Sequence, residues 1–221
     1  MVSVLLLMAG KGTRMGYEKN KILLPFGDKY LFEYPLDTFL SFGFEVICVI
    51  SKEDEEEVSK VLNKKNVKYT LGGKTRGESV YNGLKVANGD YIMIHDAARM
   101  FIDKDLINEI LATSLEEEAP ILTYTKVKDT IKALEDKKLN TLNRDSLIAA
   151  ATPQCAKKSL FLDVYEKAFK EGYSGTDDIS LIEKYYKDME IKLVLAKDTI
   201  FKVTTKLDYD LALLLWREIY D

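Results

Sequence analysis

Six short apolar runs punctuate the chain and are largely continuous: Val4–Met8, Glu45–Ile50, Val67–Leu71, Tyr91–Ile94, Ile121–Tyr124 and Ile191–Leu195. A strand with one wet face alternates apolar and polar residues, whereas a strand apolar along its length is buried on both faces. Stretches at helical spacing lie between the runs. Leu31, Phe32, Leu36, Phe39 and Leu40 form one. Val58, Val61 and Leu62 form the next, opened by Ser51-Lys52-Glu53-Asp54 as a capping box. Val80, Leu84 and Val86, then Leu106, Ile107, Ile110 and Leu111, mark two more. Leu160, Val164, Ala168 and Phe169 follow, with Gly172 as the stop. Leu211–Trp216 is apolar nearly all round and is expected to pack on two sides. The alternation predicts an α/β fold: a Rossmann-like, mostly parallel sheet flanked by helices on both faces. Ligands of such sheets bind outside the carboxyl ends of the strands, which directs attention to the loops after Met8, Leu71, Ile94 and Tyr124.

One segment breaks the rhythm. Lys126–Ala151 is rich in Lys, Asp and Asn, has weak periodicity, and carries no helix or strand expectation. It reads either as a protruding arm or as a surface excursion. The 221 residues suit one domain, or one domain with an appendage. The net charge of −4 weighs against a general nucleic-acid binder. Cys48 and Cys155 make no disulfide framework, and each reads as a small buried hydrophobe. The start Met1-Val2-Ser3 has neither the basic region of a signal peptide nor an apolar stretch of membrane-spanning length, so a cytoplasmic protein is expected.

The first run flows into Ala9-Gly10-Lys11-Gly12-Thr13-Arg14-Met15-Gly16. Glycines let backbone N–H groups converge on a ligand. Lys11, Arg14, Lys19 and Lys21 make the same place positive, which together describes a phosphate site. It is not a Walker A loop, because Gly12 follows Gly10-Lys11 too soon. Nor is it a dinucleotide fingerprint, because Met15 occupies the third glycine position. The loop after the third run, Gly72-Gly73-Lys74-Thr75-Arg76-Gly77-Glu78-Ser79, combines close-approach glycines with an anion-reaching arginine, and it reads equally as a loop and cap. After the fourth run comes His95-Asp96-Ala97-Ala98-Arg99. Asp96 there suits a metal, a ribose or a substrate hydroxyl, or else an internal pair with Arg99.

These segments, in this order, resemble the 2-C-methyl-D-erythritol 4-phosphate cytidylyltransferases of the non-mevalonate isoprenoid pathway. The likeness spans essentially the whole chain. Ala9 through Met15 look like that family's nucleotide loop, and Lys21 like its second basic residue, ahead of Leu24-Pro25-Phe26-Gly27. Gly72-Gly73 through Arg76 and Ser79 look like its pyrimidine-recognition segment. Later matches are His95–Arg99, Asp129-Thr130-Ile131-Lys132, Asn143-Arg144, Thr152-Pro153-Gln154, Thr176-Asp177-Asp178 and Phe201-Lys202-Val203-Thr204. The chain departs from the family pattern at Asn20 and Ile22, which flank Lys21 where proline and glutamine are usual. It departs again at Met100 and Lys206, where proline is common, and at Lys74, where an acidic residue is common.

The resemblance implies a single cytidylyltransferase domain over residues 1–221, of the nucleotide-diphospho-sugar transferase type, with 126–151 as a dimerisation arm. It implies transfer of CMP from CTP to a polyol phosphate. A phosphate nucleophile is already largely ionised near neutrality and needs no general base. It needs relief from charge repulsion and stabilisation of the charge developing on the α-phosphate and the leaving pyrophosphate. Arg14 and Lys21 take that role, with N–H groups of Gly10, Lys11, Gly12 and Thr13 and a Mg²⁺ on the triphosphate. Ala9, Gly73, Arg76 and Ser79 complete the nucleotide site. Arg144 and Lys202 position the acceptor phosphate, while Asp96, Arg99, Thr130, Thr152 and Thr176 line the polyol. Arg144, on the arm, would reach the partner subunit of a homodimer.

The nearest rival class, ribitol-5-phosphate cytidylyltransferases, usually has Asp-Ser-Val-Arg where this chain has Asp96-Ala97-Ala98-Arg99. A nicotinamide dehydrogenase is disfavoured by Met15 and by Ser51 at the end of the second run. A non-catalytic CTP-binding regulator would bind nucleotide without releasing pyrophosphate, and the presence of both Arg14 and Lys21 argues against it.

Overall fold

The computed structural model describes residues 1–10 and 20–220. Lys11, Gly12, Thr13 and Arg14, four of the expected site residues, lie outside the described residues. Strand β1 is Val2–Leu7. A short hairpin, β2 (Pro25–Phe26) and β3 (Lys29–Tyr30), precedes α1 (Glu33–Leu40). Then come β4 (Glu45–Ile50), α2 (Glu55–Lys64), β5 (Lys68–Leu71), α3 (Arg76–Val86) and β6 (Tyr91–Asp96). The second half carries α4 (Lys104–Glu117), β7 (Ile121–Lys126), the hairpin β8 (Lys132–Glu135) and β9 (Lys138–Thr141), and β10 (Ile148–Lys157). It ends with α5 (Lys158–Glu171), α6 (Ile179–Tyr185), β11 (Lys192–Leu195) and α7 (Lys206–Tyr220).

The main sheet runs β11-β7-β10-β6-β1-β4-β5. All neighbouring strands are parallel except where β10 runs antiparallel to β6 and β7. Successive side chains of each central strand enter opposite cores, as the strand period of two requires. Val4, Leu6 and Met8 join Leu36, Phe39, Val58, Leu62 and Ile107, beneath α1, α2 and α4. Leu5, Ile47, Ile92 and Ile94 join Val80, Leu84, Phe161, Val164 and Ile182, beneath α3, α5 and α6. Double coverage explains the continuous apolar runs.

Four local expectations are corrected. Strand β10 was not expected, because Ala149-Ala150-Ala151-Thr152-Pro153 reads as a loop. Proline cannot donate to a ladder and sits in a central strand only at an irregularity. Here the pairing of β10 with β7 shifts between Ala150 and Gln154, and the Thr152–Pro153 peptide within the shift is cis. The 126–151 segment, expected to lack regular structure, holds the β8–β9 hairpin and the start of β10. Its turn, Asp136-Lys137, has positive φ at both residues, 46° and 65°. Leu134 and Leu139 pair across the hairpin yet are each 69% exposed, so no buried periodic face marks it in the sequence. Ser51 does not open α2: Asp54 N–H donates to Ser51 Oγ at 3.1 Å, while Ser51 Oγ donates to the Asp54 carboxylate at 2.6 Å. This closes a turn ahead of a helix that begins at Glu55.

The fourth correction concerns α7. Only Ala212 is buried, and Leu207, Leu211 and Leu214 are 76%, 45% and 63% exposed. One face alone is covered, by Phe26, Leu31, Tyr34, Met100 and Phe101. Trp216 lies over Gly27, whose φ is +59° and where a Cβ would sit 2.5 Å from the indole. Glycine there serves both the turn and the close approach.

Candidate functional site

In a doubly covered sheet the crevice opens at the carboxyl ends of strands flanking the point where strand order reverses. Here that point lies between β1 and β6, with β4 and β5 beyond β1. The chain leaves β1 through Met8, whose N–H donates to Val49 O at 2.8 Å, and passes into Ala9 and the exposed Gly10. It re-enters the described structure at Asn20 and makes a 3₁₀ turn over Lys21–Leu23. Ile22 and Leu23 are buried in the core under β1, and Lys21 is half-buried at the mouth.

The β5–α3 loop is built around Ser79. Its Oγ accepts from Gly73 N–H at 3.0 Å and donates to Thr75 O at 2.9 Å. Thr75 caps α3 by accepting from Glu78 N–H at 3.1 Å, and the Glu78 carboxylate accepts from Lys74 N–H at 2.6 Å. Thr75 and Glu78 thus supply the cap for which the sequence gave Ser51 credit at α2. A Cβ on Gly72 would sit 2.6 Å from Ala9 Cβ and 2.7 Å from Ser79 Oγ, so only glycine lets β5 close against the start of the phosphate loop. This brings Ala9, Gly73 and Ser79 together. Ser79 holds the loop with its hydroxyl, and Gly72 joins the set through its close approach.

Asp96 ends β6 and is the hub of an ionic cluster. Lys202 Nζ donates to its carboxylate at 2.7 Å, and Arg76 Nη2 lies 3.8 Å away. Burial alone would raise the Asp96 pKa, but the charges of Lys202 and Arg76 outweigh it and hold the carboxyl at about 2. The alternative Asp96–Arg99 pair does not form between side chains: Arg99 N–H donates to Asp96 O at 2.9 Å, and Arg99 Nη1 donates to Ile200 O at 3.0 Å. Arg99 Nε is buried with no partner among the described residues.

Arg76 is committed more deeply than its loop suggests. Its Nη1 and Nη2 donate to the two carboxylate oxygens of Asp178, at 2.9 and 2.7 Å. Burial opposes the guanidinium charge, yet Asp178 and Asp96 together raise its pKa. Asp178 is fully buried and also accepts from the Tyr165 hydroxyl. Gln154 Oε1 accepts from Asp178 N–H at 3.1 Å and from Ile179 N–H at 3.0 Å, and its Nε2 donates to Asp177 at 2.8 Å. Strand β10 is thereby tied to the start of α6, and α6 to Arg76. Asp178, Gln154 and Tyr165 escaped the sequence reading as site-builders. Asp178 and Arg76 are 102 positions apart, and only the motif match of Thr176-Asp177-Asp178 pointed toward the acid.

Behind Asp96, His95 is fully buried. Its Nε2 lies 3.0 Å from Arg99 O and its Nδ1 3.1 Å from Thr152 Oγ1. A carbonyl only accepts, so Nε2 carries the hydrogen and the Thr152 hydroxyl donates to Nδ1. Thr152 Oγ1 in turn accepts from Asp96 N–H at 3.1 Å. Burial pushes the His95 pKa down to about 4, against the pull of the Arg99 carbonyl, so the ring is neutral. His95 and Thr152 therefore brace the Asp96–Arg99 loop from within.

Among the expected site residues, the structure gathers Ala9, Gly73, Arg76, Ser79, Asp96, Arg99, Thr152 and Lys202 around the ends of β1, β5 and β6. Lys21 adjoins them by way of Asn20, whose amide meets the end of β1. Thr176 is exposed in the turn before α6. Thr130 and Arg144 are exposed on the arm, where Arg144 Nη1 donates to Lys128 O at 3.0 Å. Among the described residues, no hydrogen bond or ion pair joins Arg144 to Asp96 or Lys202. The departures from the family pattern are structural: Ile22 fills the core under β1 and Met100 the cluster under α7.

No group of three or more histidine, cysteine or acidic residues able to hold a metal ion occurs among the described residues. Asp96, the expected candidate ligand, already has its charge balanced by Lys202 and Arg76, so these residues do not form a metal cage.

A mostly parallel α/β sheet whose strand ends carry glycine loops and a cluster of paired cations defines a nucleotide-binding transferase architecture. The comparisons narrow this class. A model of the family "IspD: 2-C-methyl-D-erythritol 4-phosphate cytidylyltransferase" matches residues 2–218. The chain belongs to that family. A 2-C-methyl-D-erythritol 4-phosphate cytidylyltransferase of Clostridioides difficile is 36% identical, covering 96% of this chain and 92% of that one. Another, from Aquifex aeolicus, is 36% identical over 84% of each chain. The crystal structure of 4-diphosphocytidyl-2C-methyl-D-erythritol synthase from Anaerococcus prevotii superposes with a TM-score of 0.87 at 29% identity, covering 98% of both chains. The enzyme from Thermus thermophilus superposes at 0.81 with 25% identity, covering 97% of this chain and 98% of that one.

Proposed function

We propose that this chain transfers CMP from CTP to 2-C-methyl-D-erythritol 4-phosphate. An oxygen of the acceptor phosphate attacks the α-phosphorus, the bond from that phosphorus to the bridging oxygen breaks, and pyrophosphate leaves. The observation that carries the reading is the family match along residues 2–218. The fold agrees with it, closing cations and glycine loops on one crevice. No general base is required of the protein, and the neutral, buried His95 is placed to brace a loop rather than to move protons.

Charge is the difficulty to be overcome, because two polyanions must meet. Lys21 at the mouth, with Arg14, serves the triphosphate, and Lys202 serves the acceptor phosphate. Lys202 is held ready by Asp96 at 2.7 Å, a pairing that keeps the ammonium oriented before substrate arrives. A divalent cation, Mg²⁺ by expectation, enters with the triphosphate, since the described carboxylates form no cage for it. Arg99, Thr152 and Asp96 present the polyol wall, with Thr176 and the arm residues Thr130 and Arg144 closing the acceptor side. The arm pairs with a second copy in a homodimer of single-domain subunits. Among the described residues no helix is long and apolar enough to cross a membrane, and the reading places the reaction in the cytoplasm.

Pyrophosphate release from CTP, measured with 2-C-methyl-D-erythritol 4-phosphate and in parallel with ribitol 5-phosphate, tests the proposal. Turnover with the first acceptor and not the second is expected. Preference for the second would move the chain to the rival acceptor, and CTP binding without turnover would make it a regulator.

A further inference from the structure

We propose that the side-chain amide of Asn20 is a positioning element for Lys21, fixing where that ammonium stands at the carboxyl end of β1. The inference rests on the catalytic role given to Lys21 above. Asn20 is only 8% exposed and both ends of its amide are engaged. Nδ2 donates to Met8 O at 3.2 Å and to the Asp54 carboxylate at 2.7 Å, and Oδ1 accepts from Ile22 N–H at 3.3 Å. One amide thus joins the exit of β1, the turn before α2 and the 3₁₀ turn that carries Lys21.

Each anchor is itself held. Met8 N–H is bonded to Val49 O, and Asp54 is bonded to Ser51. On the other side of Lys21, Leu23 N–H donates to Asn20 O at 2.9 Å and Leu24 N–H to Lys21 O at 3.1 Å. The backbone at Lys21 is therefore fixed from both directions, and the Met8–Asn20 bond closes the base of the chain segment between them. A displacement of about 1 Å at a charge-stabilising group is enough to lower a rate substantially.

The site selects an amide. Aspartate would set a second carboxylate against Asp54 and offer no donor to Met8 O. Proline, usual at this place in the family pattern, suits the φ of −60° at position 20 but supplies none of the three bonds. In this chain the positioning resides in the side chain rather than in the backbone angle.

The test measures kcat, KM for both substrates and thermal unfolding in Asn20→Ala, Asn20→Pro, Lys21→Ala and the double variant Asn20→Ala/Lys21→Ala. Asn20→Ala is expected to lower kcat about tenfold or more, with acceptor KM changed less than about twofold. Asn20→Pro should lose as much. On the Lys21→Ala background, Asn20→Ala should cost no further kcat, because the group it positions is gone. A merely structural role would lower the rate on both backgrounds alike, and that result overturns the proposal. So does an unchanged kcat in folded Asn20→Ala, or full activity in Asn20→Pro. Full activity in Lys21→Ala overturns the reading of Lys21 itself and this inference with it. An impaired Lys21→Ala beside an unimpaired Asn20→Ala overturns the inference alone. Should Asn20→Ala fail to fold, Asp54→Ala, which removes one anchor of the amide, carries the test: a kcat loss that vanishes on the Lys21→Ala background supports positioning, and one that persists overturns it.

Discussion

Arg76 grips Asp178 through two parallel hydrogen bonds, Nη1 to Oδ1 at 2.9 Å and Nη2 to Oδ2 at 2.7 Å. The pair is asymmetric in solvation. The Asp178 side chain is wholly buried, whereas that of Arg76 is 36% exposed. Removing one partner of a buried pair typically costs about 3–5 kcal/mol, because the other charge is left unpaired. Water reaches Arg76 and offsets part of that loss, but it does not reach Asp178. Arg76→Met is therefore expected to destabilise the protein by about 3 kcal/mol or more, and Asp178→Asn by less. Urea unfolding at neutral pH checks the order. Asp178→Asn proving the worse variant would show that the pair is not governed by desolvation of the acid.

The two buried titrating groups beside the site, His95 and Asp96, predict two windows of acid sensitivity. The His95 pKa lies at about 4 in the folded protein, below the ordinary histidine value, because of burial. The unfolded chain then binds more protons between pH 6.5 and 4, so stability contributed by neutral His95 is present above 6.5 and lost as pH falls toward 4. The loss is about 3 kcal/mol for a depression of this size. His95→Gln keeps one donor for Arg99 O and one acceptor for Thr152 without titrating. It should flatten the stability profile from pH 6.5 to 4, and an unchanged slope would mean that His95 is not buried neutral.

Asp96 acts lower on the scale. Its folded pKa of about 2 reflects burial opposed by Lys202 and Arg76, so its contribution is present above the unfolded value near 4 and lost as pH falls from 4 to 2. Glu45, held at about 2 by Ser3, Asn88 and Lys68 against the cost of burial, contributes in the same window. Asp96→Asn should remove part of the slope between pH 4 and 2, and Glu45→Gln a further part. Chemical unfolding at half-unit pH intervals separates them; additive reductions are expected, since no hydrogen bond or ion pair links the two acids.

How much of this was legible beforehand differs by element. The parallel strands announced themselves because burial on both faces leaves uninterrupted apolar runs, as in Val46-Ile47-Cys48-Val49-Ile50. Strand β10 did not, because it is made of small residues and carries Pro153 at a register shift. The β8–β9 hairpin was hidden because its side chains face water on both sides. At the site, Asp96, Arg99 and Lys202 were legible through motif order. The partners that hold them were not: Lys202 meets Asp96 across 106 positions, and Gln154 meets Asp178 across 24. Pairings of this kind are set by the topology of the sheet, and one sequence carries no local trace of them.

Lys202 gives a kinetic prediction. Hydrogen bonds to a charged partner contribute about 1.5–3 kcal/mol, so losing this ammonium should raise acceptor KM about tenfold to a hundredfold. Lys202→Met is expected to do so while KM for CTP changes little, because Lys202 belongs to the acceptor side of the crevice. Steady-state kinetics with each substrate varied in turn checks this. Equal increases in both constants would place Lys202 at the triphosphate instead. The variant should also raise the Asp96 pKa, since Lys202 supplies the largest favourable charge on that carboxylate.

The hairpin predicts an assembly. Leu134 and Leu139 are register partners on β8 and β9, and each is 69% exposed, which is costly for apolar side chains that touch only one another. Burial of such a pair against a second copy recovers about 25 cal/mol for each Å² removed from water. Arg144, exposed near the base of the same arm, would then be carried to the neighbouring subunit. Leu134→Lys/Leu139→Lys should leave thermal unfolding of the subunit nearly unchanged, because neither residue belongs to its core. The same variant should shift sedimentation from dimer to monomer and raise acceptor KM, as the site loses its partner's arm. A wild-type protein that sediments as a monomer and turns over both substrates would refute the arm's role, and so would a variant that stays dimeric with unaltered kinetics.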